Sequence, residues 1–122
     1  MNSSRPIKGL GVLCAVLLLL WAGTVSAHAR LQSATPRDGS RLAEAPGTLV
    51  LRFSESARLT ALWIQKQGRE KQKLAPPTEA LSEITVTLPM LEPGDYEVTW
   101  RVQGNDGHVV PGRLRFSVHP SS

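Results

Sequence analysis

Apolar residues recur at every second position through most of this chain, and a period of two commits it to half-buried β-strands rather than helices. In Thr48-Leu-Val-Leu-Arg-Phe53, the side chains of Leu49, Leu51 and Phe53 share one face while Arg52 points the other way. Ile84, Val86 and Leu88 alternate with Thr85 and Thr87. Tyr96, Val98, Trp100 and Val102 alternate with Glu97, Thr99, Arg101 and Gln103, and Leu114, Phe116 and Val118 with Arg113, Arg115 and Ser117. Leu59–Gln65 is also apolar but breaks the alternation. Pro36-Arg-Asp-Gly39, Ala45-Pro-Gly47, Gln67-Gly68, Pro76-Pro77, Glu92-Pro-Gly-Asp95 and Gly104-Asn-Asp-Gly107 supply the turns between them. With a short opening strand near Leu31–Thr35 and another near Lys71–Leu74, the count is about seven. Strands at this spacing predict an all-β, immunoglobulin-like antiparallel β-sandwich, with Trp100 in its core. Arg101, Arg113 and Arg115 read as one solvated sheet face.

Residues 1–27 have a different character. Arg5 and Lys8 precede an apolar run from Leu10 to Ala22, and the small residues Thr24-Val-Ser-Ala27 follow. A charged start, a short apolar centre and a Val-x-Ala ending form the layout of a secretory signal peptide over 1–27, ahead of a single domain at 28–122. The competing reading is an uncleaved anchor, since no charged side chain occurs from Gly9 to Ala29. Cleavage after Ala27 removes Cys14 and leaves a chain with no thiol, which excludes disulfides, thiolate ligands and a cysteine nucleophile. It also leaves 12 basic against 10 acidic residues, a net charge of +2, without a basic block interleaved with aromatics. Nucleic acid is therefore not an expected partner.

The candidate chemistry lies in three histidines, His28, His108 and His119. As the first residue of an exported chain, His28 offers an α-amine and a ring nitrogen as a chelating pair. The amine titrates near ~7.7–8.0, so a metal can displace its proton close to neutrality. Asp106-Gly-His108 adds a carboxylate and an imidazole two residues apart, which leave the same face if the segment is extended. In an immunoglobulin-like sandwich the start of the first strand, the Ser54-Glu55-Ser56 connection and the 106–108 loop gather at one end. His119 falls at the other end, where no partner is expected for it. Two imidazoles, an amine and a carboxylate, with no sulfur, suit Cu(II); Met90 alone does not make a Cu(I) site.

The sequence resembles the CopC family of periplasmic copper-binding proteins. The matching segments are His28-Ala-Arg-Leu-Gln-Ser-Ala-Thr-Pro-Arg-Asp-Gly39, Leu51-Arg-Phe-Ser-Glu55 and Pro93-Gly-Asp-Tyr-Glu-Val-Thr-Trp-Arg-Val102. They continue through Asp106-Gly-His-Val-Val-Pro-Gly112 to Phe116-Ser-Val118. The resemblance implies a monomeric carrier of one Cu(II) ion, with His28, Asp106 and His108 as ligands and Glu55 as an outer or weak ligand. It also implies copper resistance or delivery to an inner-membrane CopD-like transporter, and no catalysis. Some members carry a methionine-rich loop for Cu(I); the corresponding Lys66–Lys73 stretch here contains no methionine.

Two other readings of the same residues remain open at this stage. A copper oxidase of the lytic polysaccharide monooxygenase type also pairs an N-terminal histidine with a second histidine on a β-sandwich. A metal-free interaction module would explain Asn105-Asp-Gly107 as ordinary turn chemistry and leave His108 as a surface residue.

Overall fold

The computed structural model describes residues 29–120, so the signal peptide read at 1–27 and His28 lie outside the described residues. In chain order the strands are β1 (Leu31–Thr35), β2 (Ser40–Leu42), β3 (Thr48–Lys66), β4 (Lys71–Lys73), β5 (Leu81–Thr87), β6 (Gly94–Gln103) and β7 (Val109–Val118). One sheet pairs β1 and β5 on either side of the first half of β3. The second runs β4, the latter half of β3, β6, β7 and β2. The inward stripes of both sheets form one core, including Leu49, Leu51, Ile84, Val98, Trp100, Leu114 and Phe116.

The expected count of seven holds, but two of its members differ. The segments 48–53 and 59–65 are one 19-residue strand that passes from the first sheet into the second. Its irregular stretch has a local cause. Arg58 faces Gln103 and Leu59 faces Val102, but Ala61 faces Arg101, so Thr60 is the extra residue of a bulge. The bulge flips the parity: Ala57 and Leu59 are buried before it, Leu62 and Ile64 after it. A broken alternation in the sequence is thus a continuous strand whose inward face changes register. The seventh strand is β2, a three-residue piece too short to carry a period. It pairs parallel to β7, whereas the other five pairings are antiparallel.

Close approach of two strands is built into β6 and β7. Trp100 lies opposite Gly112, and a β-carbon on Gly112 would stand 2.3 Å from the Trp100 ring. The absence of that side chain is what lets the indole lie inside the sheet sandwich, 3% exposed.

Candidate metal centre

Asp106 and His108 lie in the turn between β6 and β7. The Gly107 N–H donates to Gly104 O (3.1 Å), and the Gly104 N–H to His108 O (3.2 Å). Gly107 adopts φ 82°, the left-handed region that a side chain disfavours. The segment is therefore a tight turn and not an extended strand, which corrects the route by which its two side chains were expected to meet. The Asp106 carboxylate folds over the turn: Oδ1 accepts the His108 N–H at 3.0 Å, and Oδ2 lies 3.0 Å from His108 Nδ1. This is turn chemistry that also orients an imidazole. With Nδ1–H donated to the carboxylate, the ring carries its lone pair on Nε2. The Asp106 side chain is 25% exposed and that of His108 71%, so the ring stands out from the turn.

The start of the described chain approaches the same turn. Arg30 is fixed to the middle of β3 from both sides of its peptide unit: Ser54 N–H donates to Arg30 O (2.8 Å), and Arg30 N–H to Ser54 Oγ (3.0 Å). Ala29, the residue that follows His28 in the chain, is buried. Its nitrogen and Asp106 Oδ1 both lie within 4 Å of the position a β-carbon on Gly104 would occupy. A glycine at 104 thus keeps space between the turn and the incoming chain.

Glu55 sits in the same region. The pairing Leu31–Phe53, continued outward, brings residue 29 to residue 55, and β3 also pairs with β6, the strand that leads into the 104–108 turn. Glu55 belongs to the β3 crossing and not to a connection between two strands. Its Oε1 is buried, and among the described residues it has no hydrogen-bond partner. Such an oxygen costs roughly 1–3 kcal/mol, and it calls for an explanation such as an ion.

Among the described residues no cluster of three or more metal-ligating side chains is assembled. Asp106 and His108 are together, Glu55 is on the adjoining strand, and the third expected ligand, His28, lies outside the described residues. Sequence reasoning missed Ser54, whose hydroxyl and amide hold the entering chain beside the turn. The Ser-Glu-Ser tripeptide between two apolar stretches was the signal, read only for its carboxylate. At the far end of the sandwich, His119 is not without a partner: its Nε2 is 3.6 Å from Asp95 Oδ1, which corrects the expectation for it.

The fold is an all-β sandwich with one carboxylate–imidazole pair fixed in the β6–β7 turn, and comparison with known proteins gives its family. The CopC domain model matches residues 31–119, and the chain belongs to the CopC family. It is 29% identical to copper resistance protein C of Escherichia coli, over 92% of this chain and 98% of that protein. It is 31% identical to copper resistance protein C of Xanthomonas campestris pv. juglandis, over 97% of this chain and 99% of that protein. Among solved structures, CopC from Methylosinus trichosporium OB3b superposes with a TM-score of 0.67 at 26% identity, covering 78% of this chain and 97% of that one. PcoC, a methionine-rich copper resistance protein from Escherichia coli, superposes with a TM-score of 0.58 at 27% identity, covering 76% and 100%. The two curated relatives and PcoC are named copper resistance proteins, and none of these relatives is named as an enzyme.

Proposed function

We propose that the chain is a periplasmic carrier of a single Cu(II) ion, exported by removal of residues 1–27 and working as a monomer. The α-amine and ring of His28 chelate the ion, His108 and Asp106 complete the set, and Glu55 acts from outside it or as a weak ligand. The observation that carries this reading is the meeting of chain start and turn, with the Ala29 nitrogen and the Asp106 carboxylate against the same glycine. A residue placed before Ala29 needs no long reach to join Asp106 and His108.

Each protein group has a separate task. Asp106 holds the His108 ring through Nδ1, which leaves Nε2 as the nitrogen for the ion, and the same carboxylate can serve the ion while it orients the ring. The buried Glu55 oxygen gains a cation in place of an unmade hydrogen bond. Cu(II) enters as cargo and displaces protons from the amine and imidazole, so binding weakens as the solution is acidified. Release is then available to an acceptor such as a CopD-like membrane transporter. The Lys66–Lys73 stretch contains no methionine, so a second, Cu(I) site there is not part of the proposal.

The test is a competition titration of Cu(II), against a chelator of known affinity, into the chain beginning at His28. Binding of one ion that weakens from neutral pH toward pH 5 supports the reading. An affinity unchanged over that range contradicts it.

A further inference from the structure

The broad outer side of the second sheet carries an unusual arrangement of charge. Across β4, β3, β6 and β7, Lys73 faces Trp63, Trp63 faces Thr99 and Thr99 faces Arg113. In the next row Ala61 faces Arg101, which faces Pro111. Trp63 is held between two cations, with Lys71 Nζ 5.6 Å and Arg101 Cζ 5.9 Å from its ring centroid. Among the described residues Lys71, Lys73, Arg101 and Arg113 have no carboxylate partner. Arg115, one row further on the same face, is paired with Glu97, and Arg52 and Lys66 elsewhere on the strands each meet a carboxylate. Lys71, Arg101 and Arg113 line a shallow depression of about 580 Å³ together with Trp63, Thr99 and Gly112, and Lys73 lies beside Trp63 on the edge strand. Val109, half exposed, continues the surface toward the β6–β7 turn.

We infer that this Trp63-centred face docks on an anionic phospholipid surface. The reasons lie in its shape and its mixture of groups. It is the flat side of a sheet, whose backbone groups are used within the sheet, and the edge strand β4 at its rim is only three residues long, too short to template an added peptide strand. Its cations spread over three strand spacings, about 14 Å, which matches an extended plane of charge better than a single acidic group. An indole flanked by Lys and Arg is the combination favoured at the headgroup level of a bilayer, where the ring enters the interface and the cations stay wet. The outer side of the first sheet has none of this: there Arg52 is neutralised by Glu83, and Thr48, Thr85 and Thr87 surround them. The inference is independent of copper binding and concerns a surface that begins one residue beyond His108.

The experiment is co-sedimentation of the metal-free chain from His28, which contains the whole described fold, with phospholipid vesicles. Mixed phosphatidylcholine–phosphatidylglycerol vesicles should pellet it at low ionic strength, pure phosphatidylcholine vesicles should not, and salt should release it. Arg101→Gln and Arg113→Gln should each lower partitioning about fivefold. Arg52→Gln, with the same change in net charge, should leave it within twofold, although it too removes an arginine. Equal pelleting on neutral vesicles, or an Arg52→Gln loss as large as that of Arg101→Gln, overturns the inference. Absence of binding to the anionic vesicles also overturns it, and would redirect attention to an acidic protein surface.

Discussion

The two ends of the sandwich offer the same pair of residue types and treat them differently. At one end Asp106 and His108 are held 3.0 Å apart by a tight turn, and the carboxylate also takes the His108 N–H. At the other, Asp95 and His119 approach to 3.6 Å, with 61% and 41% of their side chains exposed. Among the described residues, only the first end has the start of the described chain pinned against it and a buried, unpartnered carboxylate oxygen on the adjoining strand. A carboxylate–imidazole pair is therefore not a site by itself. What distinguishes a candidate centre is a fixed pair, further donors delivered by separate strands, and a polar atom left without a partner.

The comparison breaks most readily at the ligands. His108→Ala should lower Cu(II) affinity by more than the roughly 10–100-fold that partners outside a metal's ligand set are worth. His119→Ala should change it less than twofold, measured in the same chelator competition; an equal loss in both would erase the distinction between the ends. Glu55→Gln falls between them, with a loss of about 10–100-fold if its buried oxygen serves the ion from outside. Gly107→Ala tests the turn. A side chain at φ 82° costs about 1–2 kcal/mol, so thermal stability should fall and copper affinity with it as the Asp106–His108 geometry loosens.

Much of this was legible in the sequence, and the exceptions have physical causes. Clean alternation placed β5, β6 and β7 because each has one wet and one dry side. The 48–66 strand was split in two because a bulge at Thr60 shifts the inward stripe by one residue, which period counting reads as an ending. β2 escaped because three residues cannot display a period. The candidate centre was found through residue types and topology, but its local geometry was not. Asn-Asp-Gly was correctly a turn, and it is the turn, not an extended segment, that brings Asp106 onto His108. Ser54 and Gly104 are plain in the sequence, but the bond from Ser54 to the entering chain and the approach of Ala29 to Asp106 at Gly104 are not. They are visible only as distances.

The smallest expected effect concerns the far end. Burial pushes the Tyr96 phenol above its ordinary value of 10.0; the charge of Glu92 adds to this, and the hydrogen bond to Glu92 O (2.5 Å) opposes it. A proton held more tightly in the folded state stabilises the fold below pH 10, and that contribution is lost as the pH rises through the folded value. Thermal stability should therefore decline above about pH 10, and less so in Tyr96→Phe. Tyr96 is the chain's one tyrosine, so its phenolate absorbance follows the titration directly.

The central claim is that the first residue of the exported chain joins Asp106 and His108 around one Cu(II) ion. Electron paramagnetic resonance of two Cu(II)-loaded preparations tests it most directly, one beginning at His28 and the other carrying a single glycine before it. The account predicts one type-2 spectrum in the first, lost or altered in the second, because the added residue moves the α-amine away from the His28 ring. Identical spectra from the two preparations would contradict it.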